Sequence, residues 1–181
     1  LKLDIDLICK INKVFSLVDV GSKQFLTNKV DRSVGGLVVQ QQCVGPYHLP
    51  LSNLSAVKNS FDSNVVLVSA IGERPYFGVE QDIQDMVSLT VGEMLTNIIW
   101  CQIDSLNNIN SVANWMWPST QGDDGYQLLR AVDHLTNLSH KIGFSINGGK
   151  DSLSMTVKNN KDVIKAPGTL TLSGYSSIYT Y

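Results

Sequence analysis

Asp82-Ile83-Gln84-Asp85-Met86-Val87-Ser88-Leu89-Thr90-Val91-Gly92-Glu93-Met94-Leu95-Thr96-Asn97-Ile98-Ile99-Trp100-Cys101-Gln102 decides the fold class of this 181-residue chain. Ile83, Met86, Val87, Val91, Met94, Leu95, Ile98 and Ile99 recur at helical spacing and form one wide apolar face, so the stretch predicts the strongest helix of the sequence. A second helix is expected from about Tyr126 to Lys141, with Leu128, Leu129, Val132, Leu135 and Leu138 inward. Asp123 and Asp124 suit its positive end, and Gly143 its stop. Around the two helices lie segments rich in β-branched and aromatic residues. They are 34–39, opened by the pair Gly35-Gly36; 54–57; 65–71, broken by Gly72-Glu73-Arg74-Pro75; 112–117, ended by Pro118; a hairpin over 155–164 turning at Asn159-Asn160; and 169–175. Strands alternating with two long helices predict an α/β (α+β) class, a mixed sheet packed on two long helices.

Ahead of this body, Leu3, Ile5, Leu7, Ile8, Ile11, Val14, Phe15 and Val18 predict a short amphipathic helix that stops by Gly21. Residues 1–22 are therefore a helical lead-in and 23–181 one domain. With 43% hydrophobic residues the chain can bury a core of ordinary size. A net charge of −2 and a pI near 5.9 announce no nucleic-acid or membrane surface, and neither partner is assigned. No apolar run reaches the ~20 residues that span a bilayer. Cys9, Cys43 and Cys101 lie far apart and pair with none of His48, His134 and His140. That spacing argues against structural zinc and a disulfide framework, and suits a reducing intracellular setting. The chain begins at Leu1, without methionine, which suggests a piece of a longer polypeptide.

Two stretches carry chemistry. Glu93 and Asn97 are four apart, so they project from one helix face, where a carboxylate and an amide oxygen can share one divalent cation. The alternative is a solvated stripe on an amphipathic helix. Asn147-Gly148-Gly149-Lys150-Asp151-Ser152-Leu153-Ser154-Met155 joins two glycines to a lysine, a carboxylate and two hydroxyls, the make-up of a phosphate-handling loop. Its spacing is not that of a Walker A loop, and an ordinary turn is the plainer alternative. Asp31 and Arg32 read either as an exposed ion pair of little consequence or as something more. Trp115 and Trp117, with no basic residue beside them, read as core or interface rather than as a base-stacking platform.

Phe25-Leu26-Thr27-Asn28-Lys29-Val30-Asp31-Arg32-Ser33-Val34-Gly35-Gly36-Leu37-Val38 resembles the phosphoribosylformylglycinamidine synthases in their large single-chain form. So, in the same order, do Gln40-Gln41-Gln42-Cys43-Val44-Gly45-Pro46, Glu93-Met94-Leu95-Thr96-Asn97, Asn114-Trp115-Met116-Trp117, the stretch 148–155 and Ala166-Pro167-Gly168. The resemblance runs from about Lys23 to Tyr175. It implies an aminoimidazole-ribonucleotide (AIR)-synthetase-like N-terminal subdomain, that of the second half of the synthase region, whose strands join those of the first half in a barrel-like sheet. It implies a part in a cytoplasmic purine-biosynthesis ligase that uses FGAR, ATP and glutamine and makes FGAM, with ammonia delivered from a glutaminase domain of the same polypeptide. For this piece it implies an auxiliary site for ATP or ADP with Mg2+ and no catalytic residue. Glu93 and Asn97 match metal ligands, Lys23 matches a nucleotide-contacting lysine, and Lys150, Asp151 and Ser152 fall near the nucleotide. Asn53 stands where relatives can offer an aspartate, and its amide oxygen is a weaker, neutral ligand. A further aspartate ligand would lie beyond Tyr181. An isolated piece is expected to be inactive and to self-associate through uncovered sheet. A non-catalytic binding homologue of the same family is the other reading.

Overall fold

The computed structural model describes residues 5–28, 30–31, 34–76, 78, 82–159 and 162–179. In chain order the elements are α1 (Ile5–Phe15), α2 (Gln24–Thr27), β1 (Val38–Gln40), β2 (Leu54–Lys58), β3 (Val65–Tyr76), α3 (Ile83–Ile98), β4 (Asn110–Met116), α4 (Asp124–Ile142), β5 (Ser145–Ser152), β6 (Thr156–Lys158), β7 (Val163–Lys165) and β8 (Gly168–Tyr179). A six-stranded sheet runs β1-β2-β3-β8-β4-β5, and β6 with β7 forms a separate hairpin. Among the described residues only β4 and β5 are parallel, and α4 makes the crossover that a parallel pair requires. Every other neighbouring pair of the sheet is antiparallel, so the sheet is mixed.

Period-two alternation divides the sheet into two faces. Val66, Val68, Ala70 and Gly72 of β3, with Leu170, Leu172, Gly174 and Ser176 of β8, are buried on one face. That face takes α3, whose Ile83, Met86, Val87, Val91, Met94 and Ile98 are all buried. Asp82 starts α3 as an N-cap, its carboxylate accepting the Gln84 N–H at 2.9 Å. Gly143 closes α4 in the left-handed conformation with φ 101°. At the end of β4, Trp117 is 1% exposed, stacks on Tyr76 and meets Trp115 edge-on. Its indole N–H donates to the Asp124 carbonyl at 2.8 Å. The two tryptophans thus serve the core.

The opposite face is open: Leu67, Ile71 and Tyr175 remain exposed there. Leu7, Ile8, Ile11, Val14 and Phe15 of α1 are exposed as well. No helix among the described residues is long and apolar enough to cross a membrane. The three cysteines are free thiols.

Several expected boundaries move. β3 runs through Gly72-Glu73-Arg74-Pro75 to Tyr76 instead of stopping at Ile71. Gly72 is there because a Cβ would lie 2.0 Å from the Thr90 carbonyl oxygen and 2.6 Å from the Met94 nitrogen of α3. Pro75 is tolerated because β2 pairs no further than Ala70, so its missing N–H falls on an edge without a strand partner. The expected strand over 34–39 shrinks to Val38–Gln40, since Gly35 and Gly36 turn the chain with φ 80° and 72° and leave Val34 exposed. α3 stops at Ile98, leaving Ile99 exposed, and Leu129 and Val132 of α4 are exposed rather than inward. The glycine stretch 148–152 is strand, not loop, because it pairs with β4. The hairpin turn is bracketed by Asn159 and Asp162, which exchange backbone bonds, and Asn160 lies outside the described residues.

Gly72→Ala is expected to destabilise the protein by about 3 kcal/mol, as overpacking against backbone does. Gly92→Ala, in a helix interior with open space around the added carbon, is expected to gain about 0.5–1 kcal/mol. Urea unfolding of both variants checks the pair, and equal effects would contradict the close approach of α3 to β3.

Candidate metal and nucleotide site

β2 pairs with β3 from Lys58↔Val66 to Leu54↔Ala70 and then leaves it. Beyond that point the Ile71 carbonyl and the Glu73 N–H have no strand to bond on that edge. α3 supplies partners. Glu93 Oε2 accepts the Glu73 N–H at 3.0 Å, and Asn97 Nδ2 donates to the Ile71 carbonyl at 3.0 Å. A carboxylate and an amide one helical turn apart match an N–H and a C=O two residues apart on a strand.

This arrangement orients both side chains. With Nδ2 committed to Ile71, the Asn97 Oδ1 is left as an acceptor, and Glu93 keeps Oε1 and part of its negative charge. Asn53, the residue before β2, completes the group: Asn53, Ser55, Ser69, Ile71, Glu93 and Asn97 line one cavity of about 400 Å3. The ion pairs of the described residues join Lys10 to Asp6, Arg130 to Asp82 and Lys165 to Asp124, so none of them neutralises Glu93. The donor set is all oxygen with one formal charge. That composition suits Mg2+, which is held by one or two carboxylates and otherwise by water and phosphate. No cluster of three or more His, Cys, Asp or Glu occurs among the described residues, so a cation here would depend on ligand oxygens from outside the set.

The other expected site residues stand apart from this cavity. Lys23 donates to the carbonyls of Val18 and, at 2.7 Å, Gly21, which closes the turn after α1. The segment that follows it is tied to the sheet by Gln42, whose side-chain amide donates to the carbonyls of Thr27 at 2.9 Å and Val30 at 3.1 Å. Lys150, Asp151 and Ser152 lie on β5 at the far edge of the sheet, and Lys150 Nζ donates to Ser152 Oγ at 3.1 Å. Yet the register puts Lys150 in one row with the metal-side strand. Lys150 pairs with Asn114, Asn114 with Thr171, and Thr171 with Glu73. Three strand spacings, about 14 Å, separate the ends of that row on the open face. Asp31 has φ 52° and, with Gln40 and Gln42, lines a neighbouring groove that shares Ser55 with the first cavity, while Arg32 lies outside the described residues.

Burial pushes the Cys101 thiol up, which disfavours the thiolate and any nucleophilic role. Reading the sequence overlooked Ser55 and Ser69 of the cavity wall. It also overlooked Asn114, although a lone amide alternating with Val112 and Met116, opposite the core positions Ala113, Trp115 and Trp117, marks a polar group on a partly apolar face.

The model of the FGAR-AT PurM_N-like domain matches residues 22–177. The chain belongs to that family. Phosphoribosylformylglycinamidine synthase of Dictyostelium discoideum is 41% identical over 170 residues, which is 91% of this chain and 12% of that protein. The FGAR-AT PurM_N-like chain thus spans about an eighth of the length of such relatives. Among solved structures, PurLQS from Thermotoga maritima aligns with a TM-score of 0.62 at 16% identity, over 88% of this chain and 24% of that one. T. maritima PurL complexed with AMPPCP aligns with a TM-score of 0.50 at 16% identity, over 71% of this chain and 20% of that one. These likenesses fix the fold as the mixed α/β arrangement of the PurL neighbours. α1 falls ahead of the matched residues and makes no part of the sheet.

Asn97→Asp removes the donor to Ile71 and sets a second carboxylate beside Glu93. With divalent cations chelated, the variant is expected to lose about 1–2 kcal/mol in urea unfolding, and added Mg2+ to restore part of it. Unchanged stability would mean that the bond to Ile71 contributes nothing.

Proposed function

We propose that this chain is the part of a phosphoribosylformylglycinamidine synthase that holds an auxiliary magnesium–nucleotide half-site and serves as scaffold. The whole enzyme is read as converting FGAR, ATP and glutamine to FGAM, ADP, phosphate and glutamate in the cytoplasm. The observation that carries the reading is the convergence of Asn53, Glu93 and Asn97 in one cavity. Bound Mg2+ would neutralise the phosphate charge of ADP or ATP. Glu93 would supply the charged ligand through Oε1, Asn97 a neutral one through Oδ1, and Asn53 a weaker amide oxygen. The complex of T. maritima PurL with AMPPCP supports a nucleotide on this fold.

Lys150 and Ser152 stand at the other end of the open-face row, where Lys150 can meet an anionic group that reaches across the sheet, while Asp151 between them pairs with Trp115 and falls on the other face. Lys23 would have to exchange its carbonyl partners for a phosphate, which a flexible four-carbon stem allows. The open face with Leu67, Ile71 and Tyr175 is read as the surface that the first synthase half covers. The glutaminase domain of the same polypeptide, as the source of ammonia, completes the partners.

Titration calorimetry of ADP with Mg2+ into the complete encoded polypeptide tests the half-site. Glu93→Ala is expected to weaken binding at least about tenfold, and Asn53→Asp to strengthen it by adding charge to the donor set. Wild-type affinity in Glu93→Ala would overturn the assignment. The 181 residues alone are expected to scatter light as a dimer or larger, and a monomer at tens of micromolar would contradict the role given to the open face.

A further inference from the structure

α3 ends at Ile98, and the chain turns beneath it before entering β4. The turn is tight: the Cys101 N–H donates to the Ile98 carbonyl at 3.1 Å, and the Ile103 N–H to the Cys101 carbonyl at 2.8 Å. A one-turn 3-10 helix follows over Leu106–Asn108, capped by Ser105, whose hydroxyl accepts the Asn107 N–H at 3.2 Å. Between the end of α3 and that turn, Leu95, Ile98, Ile103, Leu106 and Ile109 line an apolar cavity of about 450 Å3. This lies within the range of about 300–1,000 Å3 that small-molecule sites occupy, and such sites pair apolar walls with a few polar groups. Asp104 is the charged residue of the lining. It also lines a second, polar cavity of about 440 Å3, together with Gln102 and Asn108. One carboxylate thus stands at the junction of an apolar chamber and a polar one. The side chains of Gln102, Asp104 and Asn108 make no hydrogen bond or ion pair among the described residues. Neither chamber shares a residue with the cavity of Asn53, Glu93 and Asn97.

We propose that the two chambers form one site for a primary amine that carries an aromatic or aliphatic group. The apolar body enters between Leu95, Ile103 and Leu106, and the ammonium meets the Asp104 carboxylate. An ammonium has three donors. Asp104 accepts one, and the amide oxygens of Gln102 and Asn108 are available to the others. Charge decides the class of ligand. An uncompensated carboxylate beside an apolar wall repels an anion and gives a neutral body no return for its charge, whereas a cation against a wall of low dielectric is held more strongly than in water. Shape decides the rest. A bare ammonium would leave the apolar chamber unfilled, and the apolar surface that a larger amine takes from water there adds affinity. The site does not rest on the function proposed above.

Cys101, a half-buried thiol in the wall of the apolar chamber, reports on occupancy. The test follows its alkylation by iodoacetamide in the complete polypeptide, with the exposed Cys9 as internal reference and peptide mass mapping to tell the two apart. Phenethylamine is expected to slow the modification of Cys101 in a saturable manner and to leave Cys9 unchanged. Ethylamine has the charge without the body, and phenylpropionate has the body with the opposite charge. Each should protect Cys101 at least about tenfold less well. Asp104→Asn should raise the phenethylamine concentration for half protection about tenfold, the size of one lost contact to a charged group. Asp104 is exposed, so the substitution leaves the core untouched. Should the variant nevertheless fail to fold, the comparison of phenethylamine with phenylpropionate on the native protein decides. Equal protection by phenylpropionate, or an unchanged half-protection concentration in Asp104→Asn, overturns the proposal. So does the absence of protection at millimolar phenethylamine. A Cys101 that reacts only after unfolding in urea overturns it too, because the chamber would then be closed by another part of the polypeptide.

Discussion

The contact on which the rest depends is the near-touching of two backbones at Gly72. Met94 N and Thr90 O of α3 lie so close to β3 that no Cβ fits between them, and one strand away Gly174 leaves room for the Met94 sulfur in the same way. Glu93 precedes Met94, and Asn97 follows it by nearly one turn. A helix pressed onto the strand at Met94 therefore carries both polar side chains to the strand edge. A side chain at residue 72 would lift α3, and hydrogen bonds of 3.0 Å weaken steeply with such a shift. The candidate site is thus a by-product of how tightly a helix can lie on a sheet.

The same sheet does different work on its two faces. The helix side is filled by aliphatic residues, and there the small residues Ala70, Gly72 and Gly174 set how near α3 can come. The open side mixes Leu67 and Ile71 with the polar row Glu73, Thr171, Asn114 and Lys150. A face of that composition is neither a finished core nor a solvated surface.

The sequence was legible wherever the signal was local. The 3.6-residue period marked α3 almost to its ends, Asp82 marked its start, and Gly143 marked the end of α4. Glu93 and Asn97 stood out because four residues make one helical turn. What escaped was decided by distant pairing. Gly72 and Pro75 read as a break because glycine and proline punctuate local patterns, whereas here one admits a helix from the other side and the other sits on an unpaired edge. Gly148 and Gly149 read as a loop by composition, yet the parallel partner β4 holds them as strand. Nor does any local pattern reveal that β2 stops opposite Ala70, and that stop creates the free N–H and carbonyl that Glu93 and Asn97 satisfy.

The two readings left open for Glu93 and Asn97, a solvated stripe or a metal pair, differ in how freely each side chain can turn. Fixing an otherwise free Glu or Asn costs about 1 kcal/mol of rotamer entropy each, and each hydrogen bond to β3 returns about as much. Holding the pair is therefore close to neutral for folding. A stripe facing water has no such anchoring and no fixed oxygen. Here one atom of each group is tied to the strand, and both residues line the cavity shared with Asn53. A cation would meet ligands whose ordering is already complete, as supporting hydrogen bonds do at metal sites generally. The bonds that finish the edge of β3 and the bonds that orient the candidate site are the same two bonds.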